Sequence, residues 1–289
     1  MSRTLDRCGE IERSLLRKYR KELWAPFVTA VKRYELIAPG DRICVCISGG
    51  KDSMLMAKLF QQLHRVTEVP FSLAFLVLDP GYSEKNLQRI RDNAEVMRIP
   101  IEIRQANIFS VADRAEKNPC YLCARMRRGF LYRYAQEMGC NKIALGHHFN
   151  DVIETTVMAM FYASKLEGMM PKVRSRNFPG MELIRPMYRI RERDIIAFAR
   201  YNRLEFLACA CRFTEEGREK EGLSKRREIK NLIAELQKTN PDIEISIFNA
   251  LHAVCVDTFP GWKRKNLPHS FLEWYGQPAG GEELTETEE

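Results

Sequence analysis

The chain has 289 residues, with 46 Lys and Arg against 38 Asp and Glu, so its formal net charge is +8. Its length suits one large domain with additions or two domains, and a composition of 45% hydrophobic and 29% charged residues is typical of globular proteins. No apolar run reaches the roughly 18 residues of a membrane helix, and the first residues lack the apolar region of a secretory signal. Nine cysteines without such a signal argue against a secreted, disulfide-bonded fold, so we expect a cytoplasmic protein that contacts no membrane.

The charge is unevenly distributed along the chain. Residues 282–289 contain five glutamates and no base, so the rest has 46 basic and 33 acidic residues, a net charge of +13. A body this basic favours a polyanionic partner, because neutralising phosphates releases their counterions.

Residues 1–38 are predicted to form an N-terminal helical arm, because apolar residues recur there at steps of three and four. Residues 39–205 then alternate apolar strands with helical segments. We expect strands at residues 42–47, 71–78, 100–103 and 142–146, and helices at 54–60, 84–97, 130–138 and 152–162. This alternation predicts an α/β fold with a doubly wound parallel sheet, in which ligands bind beyond the carboxyl ends of the strands. Residues 206–278 are predicted to be a helical, basic region, and residues 279–289 a disordered acidic tail.

A glycine loop follows the first strand, with the sequence Ser48-Gly49-Gly50-Lys51-Asp52-Ser53. Two glycines let the backbone turn sharply and approach a ligand, and the helix that follows directs its first N–H groups at an anion. The loop is not a Walker A motif, because Val45 stands where that motif has its first glycine and Asp52 replaces its Ser or Thr. We therefore predict a phosphate-binding loop of another kind; an ordinary glycine turn is the alternative.

Two cysteine groups are candidates for metal binding. Cys120 and Cys123 lie three positions apart at the start of a helix, a spacing that lets both sulfurs face one ion. The basic residues after them favour thiolates and a polyanion: Arg125, Arg127 and Arg128. Cys209 and Cys211 lie far along the chain. All four cysteines would suit a structural zinc site, whereas three of them would suit an iron–sulfur cluster with one open iron.

Further polar residues follow later strands or lie in the basic region. Asp151, at the end of Gly146-His147-His148-Phe149-Asn150-Asp151, is placed to begin a helix, either as an N-cap or as a ligand-binding group. Glu154, one turn later, suits a position that faces solvent. Arg185 suits phosphate neutralisation or a surface salt bridge. The run from Lys225 to Lys230 is predicted to be either a solvated helix face or an RNA contact.

The glycine loop resembles the pyrophosphatase loop, or PP-loop, of the N-type ATP pyrophosphatases, whose pattern Ser-Gly-Gly-Xaa-Asp-Ser it matches in full. Members of that superfamily cleave ATP between the α and β phosphates and activate a substrate oxygen as an adenylate. The resemblance implies that these loop residues hold pyrophosphate and Mg²⁺: Ser48, Gly49, Gly50, Asp52 and Ser53. It also implies charge compensation by Lys51 and contacts to adenosine by Leu78 and Asp79. Nucleotide-site roles are further implied for Gly146, His147, Asp151 and Arg185.

Together with the cysteines, the sequence resembles the TtcA family of tRNA 2-thiolation enzymes. The resemblance covers roughly residues 25–255, and it includes the stretches 123–132, 144–151, 158–171 and 184–187. In that family two cysteines of a Cys-x-x-Cys and one distant cysteine bind a [4Fe–4S] cluster, which implies Cys120, Cys123 and one of Cys209 or Cys211. The distal pair here is Cys-x-Cys rather than the Cys-x-x-Cys of the family. We favour Cys211, because the second cysteine of the family's distal pair is the ligand.

We therefore predict an ATP-dependent tRNA sulfurtransferase, which adenylates the C2 carbonyl of an anticodon-loop cytidine, the thirty-second tRNA position, and replaces its oxygen with sulfur. The resemblance implies ATP, Mg²⁺ and a [4Fe–4S] cluster as cofactors. It also implies a homodimer, with a cysteine desulfurase or free sulfide as the sulfur donor. Two other functions suit the same residues: a PP-loop ligase with a structural zinc site, and a non-catalytic RNA-binding module.

Overall fold

The structure is a computed structural model that describes residues 5–106, 108–109, 119–207 and 221–275, without the side chains of residues 119–121 and 221–224. The chain divides into two compact units, Met1–Glu244 and Ile245–Glu289. The boundaries predicted at residues 38, 205 and 278 remain a prediction. Within the described ranges, no helix is both long enough and apolar enough to cross a membrane.

The first unit is built on a six-stranded sheet. Its strands are β1 (Arg42–Ile47), β2 (Ser72–Asp79), β3 (Ile101–Gln105), β4 (Lys142–Ala144), β5 (Lys172–Arg174) and β6 (Glu182–Ile184). Their order is β3-β2-β1-β4-β6-β5, and every neighbouring pair is parallel except β5 and β6. This confirms the predicted α/β fold with a mostly parallel sheet, to which the structure adds an antiparallel edge strand.

Helices precede, connect and follow these strands. They are α1 (Arg7–Arg13), α2 (Ala25–Arg33), α3 (Lys51–Val66), α4 (Glu84–Val96), α5 (Pro119–Glu137), α6 (Phe149–Ala163), α7 (Glu192–Tyr201), α8 (Glu221–Thr239) and α9 (Ile243–Ala250). Two π-helical turns, Ser14–Lys18 and Arg20–Trp24, join α1 to α2. The second unit also contains the antiparallel hairpin of β7 (Gly261–Arg264) and β8 (Leu267–Ser270).

The central strand shows why the sheet is covered on both faces. Alternate β1 side chains enter different apolar clusters, with Val45 packed among residues of α3 and Cys46 packed among residues of α5. Such a strand is apolar at successive positions, because neither face meets water. The ligand-binding edge therefore lies at the strand ends, where the loops emerge.

Candidate nucleotide-binding site

The glycine loop, residues 48–53, joins the carboxyl end of β1 to the start of α3. Gly49 adopts a φ of +80°, in the left-handed region that favours glycine, and a Cβ built there would lie 2.6 Å from Ile90 Cγ1. The amide of Leu207 donates to the Gly49 carbonyl at 3.1 Å. Because any side chain at position 49 would push against α4, the loop follows this tight path only with glycine.

Two serines close the loop on itself. The buried Ser53 hydroxyl donates to the Gly50 carbonyl at 3.0 Å and accepts from the Ser48 amide at 3.1 Å. The two hydroxyl oxygens lie 3.1 Å apart. Ser53 therefore fixes the shape of the loop, whereas Ser48 stays exposed at its surface.

Asp52 has one satisfied and one unsatisfied carboxylate oxygen. Its Oδ2 accepts from Lys51 Nζ at 3.1 Å, whereas its buried Oδ1 has no hydrogen-bond partner among the described residues. His148 Nε2 lies 3.9 Å from Oδ1, too far for a hydrogen bond. A buried carboxylate oxygen without a partner is costly, so its chemistry fits a hard cation such as Mg²⁺.

A cavity of about 500 Å³ opens where β1, β2 and β4 end. It is lined by eight of the residues predicted for the site: Ser48, Asp52, Ser53, Leu78, Cys123, Gly146, His147 and Asp151. Cys46, Arg127 and Arg128 also line it. On the other side of the glycine loop, Gly50 and Lys51 line a second cavity of about 400 Å³. The sheet edge thus brings together residues that are far apart in the sequence.

The loop after β4 packs directly against the glycine loop. A Cβ at Gly146 would lie 3.2 Å from the Ser53 amide nitrogen, so glycine permits this close approach. The next helix, α6, has His148 as its N-cap: the His148 side chain accepts from the Asp151 amide, and Asp151 Oδ2 accepts from the His148 amide at 2.9 Å. The expectation that Asp151 begins the helix is therefore wrong, because Asp151 occupies the third helical position of a capping box.

His147 and Arg185 each carry a buried nitrogen that has no partner among the described residues, Nδ1 in His147 and Nε in Arg185. Burial, assisted by the nearby Arg185, lowers the pKa of His147 to about 4. Burial and the nearby Arg128 lower the pKa of Arg185 to about 10. Another guanidinium donor of Arg185 is held by the Met170 carbonyl. A neutral His and a cationic Arg near the cavity are suited to an anionic, hydrogen-bonding ligand.

The end of β2 contributes one residue to the cavity and one to its support. Leu78 lines the cavity, whereas the buried Asp79 turns its Oδ1 to the amides of Gly81 and Tyr82, at 2.9 and 2.7 Å. Arg127 Nη2 donates to the Tyr82 hydroxyl at 3.0 Å. Asp79 therefore shapes the turn that holds Arg127 at the cavity wall.

The cysteine predictions can be placed only in part. Cys123 is buried in the second turn of α5 and lines the cavity. The Cys120 side chain, Cys209 and Cys211 lie outside the described residues, and the described part of the chain contains no group of three His, Cys, Asp or Glu side chains that could hold a metal. Cys46 is buried and also lines the cavity.

Three residues beside the glycine loop and α6 were not predicted as nucleotide-site residues. Glu192 contacts Lys51 Nζ at 3.1 Å, and Lys230 and Arg226 of α8 contact carboxylates of α7 and α6. Glu154, expected to face solvent, is instead only 6% exposed and pairs with Arg226, so that expectation is wrong. No local sequence signal identifies these pairs, because their members are separated by 38 to 141 positions.

The family model described as a PP-loop domain matches residues 9–211. A tRNA-cytidine(32) 2-sulfurtransferase from Anaeromyxobacter sp. (strain K) is 34% identical over 239 residues, which cover 82% of this chain and 80% of that protein. A tRNA-cytidine(32) 2-sulfurtransferase from Coxiella burnetii (strain Dugway 5J108-111) is 37% identical over 229 residues, which cover 77% of this chain and 85% of that protein.

A solved structure has a similar fold. The U34-tRNA thiolase NcsA from Methanococcus maripaludis, determined with its [4Fe–4S] cluster, superposes with a TM-score of 0.62 at 21% identity. The alignment covers 79% of this chain and 76% of that one. At this identity the likeness establishes the fold of the chain.

Proposed function

The chain belongs to the tRNA-cytidine(32) 2-sulfurtransferase family of PP-loop proteins, and we propose that it replaces the C2 oxygen of an anticodon-loop cytidine in tRNA with sulfur, at the expense of ATP. One observation carries the proposal beyond family membership. The cavity at the sheet edge is lined both by Asp52 of the glycine loop and by Cys123 of the Cys-x-x-Cys pair. Activation by ATP and delivery of sulfur would therefore occur in one chamber.

The reaction we propose has two chemical steps. The C2 oxygen of cytidine attacks the α-phosphorus of ATP, the bond to the β-phosphate oxygen breaks, and pyrophosphate leaves. A sulfide equivalent then attacks C2, and the C–O bond breaks to release AMP and give 2-thiocytidine. The glycine loop would bind the pyrophosphate portion with its amides and Lys51, while Arg185 would offset negative charge that develops on the phosphates.

Two inorganic groups fit the residues of the site. The unpaired Oδ1 of Asp52 has the donor chemistry that Mg²⁺ prefers, and Asp151 lies on the same cavity. Cys123, which lines that cavity, would be one cysteine ligand of a [4Fe–4S] cluster, with Cys120 and one of Cys209 or Cys211, of which we favour Cys211. When bound, such a cluster would supply an iron with an open coordination position for sulfur.

The substrate has to present an unpaired base. A base stacked in a duplex cannot reach a cavity at a sheet edge, whereas an anticodon-loop nucleotide can turn outward. The basic composition of the chain, with a net charge of +8, supports binding to the tRNA backbone. The resemblance supports a homodimer in the cytoplasm that receives sulfur from a cysteine desulfurase or from free sulfide.

The decisive experiment is mass analysis of nucleosides after incubation of anaerobically reconstituted protein with tRNA, ATP, Mg²⁺ and sulfide. We expect 2-thiocytidine, with AMP and pyrophosphate in equal amounts, and no thionucleoside when ATP is omitted. One zinc per chain with an amide or amidine product would instead indicate a ligase. Binding of tRNA without any pyrophosphate release would indicate a non-catalytic RNA-binding module.

A further inference from the structure

The glycine loop faces a concentration of carboxylates. Asp151 and Glu154 lie one turn apart on the same side of α6, so their like charges repel each other. Glu154 is only 6% exposed, and a buried carboxylate without a partner is strongly disfavoured. A cation placed between the two carboxylates would offset both charges.

Arg226 of α8 is that cation. Its Nη2 donates to Asp151 Oδ1 at 2.9 Å, and its Nε donates to Glu154 Oε2 at 2.8 Å. The other oxygen of Asp151, Oδ2, is held by the His148 amide. Both oxygens of Asp151 are thereby fixed, one by its own helix and one by Arg226. A planar guanidinium can make both contacts at once with its rigid fork of donors, a geometry that a single ammonium group does not reproduce.

Lys230, one turn after Arg226, reaches the other side of the site. Its Nζ lies 2.5 Å from Glu192 Oε2, and Glu192 Oε1 lies 3.1 Å from Lys51 Nζ, which in turn contacts Asp52 Oδ2 at 3.1 Å. Burial acts to raise the pKa of Glu192, but Lys230 and Lys51 lower it to about 2. The chain of charges thus runs from α8 to the carboxylate of the glycine loop.

We propose that Arg226 and Lys230 are positioning residues of the nucleotide site, which orient Asp151 directly and Lys51 and Asp52 through Glu192. The inference rests on the proposed function for the identity of the reaction, but the contacts of Arg226 and Lys230 bear on the ATP-dependent step alone. Helix α8 lies beyond residues 9–211, the part that matches the PP-loop domain. The nucleotide site is therefore completed by a helix outside that domain. Arg226 and Lys230 contact carboxylates of this site instead of forming an RNA-binding surface.

The test separates orientation from stability and from RNA binding. Arg226→Lys keeps the charge but loses the two-point contact, and Arg226→Gln loses both. We expect both variants to remain folded and to lower kcat/KM for ATP by about tenfold or more, because small displacements of catalytic groups are costly, while KM for tRNA stays within about twofold. Lys230→Gln should also lower kcat/KM for ATP. Lys238→Gln is the matched control, because Lys238 lies on the same helix and pairs with the exposed Glu235.

A rescue experiment tests whether the carboxylate left without Arg226 causes the loss. Glu154→Gln removes the buried charge, so the double variant Arg226→Gln/Glu154→Gln should recover part of the lost kcat/KM. Wild-type kcat/KM for ATP in folded Arg226→Gln and Arg226→Lys would overturn the inference, as would an effect confined to KM for tRNA. If the wild-type protein does not thiolate tRNA, the proposed function is wrong. The inference can still be tested by titrating each variant with a non-hydrolysable ATP analogue and Mg²⁺. Weaker binding of the analogue than in the wild type would support the inference, and unchanged binding would overturn it.

Discussion

Asp52 and Asp151 are both carboxylates in the first turn of a helix at the same cavity, yet their surroundings differ. Asp52 Oδ1 has no hydrogen-bond partner among the described residues, whereas both oxygens of Asp151 accept hydrogen bonds, from Arg226 and from the His148 amide. Asp52 is therefore ready to receive a cation. A ligand that binds the Asp151 carboxylate therefore competes with Arg226 for it or binds beside it.

Replacement of Asp52 by Asn should abolish ATP turnover and leave the fold intact, because the amide keeps the shape of the side chain but cannot organise Mg²⁺ and pyrophosphate. We expect pyrophosphate release to fall by about a hundredfold or more. Asp92→Asn removes the same charge from the exposed face of α4 and is the control. A folded Asp52→Asn protein that releases pyrophosphate at the wild-type rate would contradict the assignment.

The half-buried His147 should make stability depend on pH. Its pKa is about 4 in the folded chain against 6.5 ordinarily, so below pH 6.5 the unfolded chain binds more protons. The stabilisation is complete above pH 6.5 and is lost as the pH falls toward 4, by up to about 3 kcal/mol.

His147→Gln cannot titrate, so urea unfolding measured from pH 4 to pH 7 should give a flatter dependence for this variant than for the wild type. His64→Gln, which replaces another histidine at an exposed position near the end of α3, is the matched control. Equal slopes for His147→Gln and wild type would assign the acid sensitivity to other groups.

At the scale of elements, the cavity is formed by the loops that follow β1 and β4, and glycine residues allow these loops to pack closely together. The strand ends of β1 and β4 come so close that a Cβ at Gly146 would lie 3.2 Å from the Ser53 amide nitrogen. Helix α5 then covers this junction and presents Cys123 to it. Because the sulfur site would be built on this helix, its cysteines can be tested apart from the nucleotide loop.

We expect three cysteines to bind the cluster and to leave one iron open. Cys120→Ala and Cys123→Ala should each lose iron, labile sulfide and thiolation, whereas of the distal pair only Cys211→Ala should do so. The measurements are iron and labile sulfide per chain and the visible absorbance of the reconstituted cluster. Cys255→Ser, an exposed thiol, serves as the control. If both Cys209 and Cys211 proved essential for a bound zinc, the site would be a structural zinc site with four cysteine ligands, and sulfur would need another carrier.

Across the whole molecule, the excess of basic residues favours RNA, but the structure divides the run from Lys225 to Lys230 into two groups. Arg226 and Lys230 pair with carboxylates beside the glycine loop. Lys225 lies over the Tyr162 ring, and Arg227 is exposed. We expect the predicted RNA contact at these two residues, because Arg226 and Lys230 are held by carboxylates at the nucleotide site.

Charge reversal at Lys225 and Arg227 should weaken tRNA binding and flatten its salt dependence, by up to about 0.9 in log–log slope for each lost phosphate contact. ATP binding should not change, in contrast to the Arg226 variants. Reversal of Lys32 and Lys85, which are exposed on α2 and α4, changes the net charge equally and is the control. An unchanged slope for the Lys225 and Arg227 variant would assign this part of α8 to solvent.

The parallel α/β fold and the glycine loop could be predicted from the amino-acid sequence, and the family resemblance implied several of the other cavity-lining residues. These features are local: alternating apolar strands and helices specify the sheet, and residues 48–53 specify the turn that opens a helix N-terminus. In a parallel sheet the strand ends meet at one edge, so residues at the ends of different strands converge there, among them Leu78 and His147, whose site roles the family resemblance implied.

The pairing of Arg226 with Glu154, the pairing of Glu192 with Lys51, and the antiparallel direction of β5 at the sheet edge could be seen only in the folded chain. Glu154 has the sequence context of a surface residue on a helix, and it is buried because α8 packs on α6. Periodicity reports which residues share a face of one element. Which charged groups of two elements meet depends on how those elements pack, and that is set by the whole core rather than by either segment.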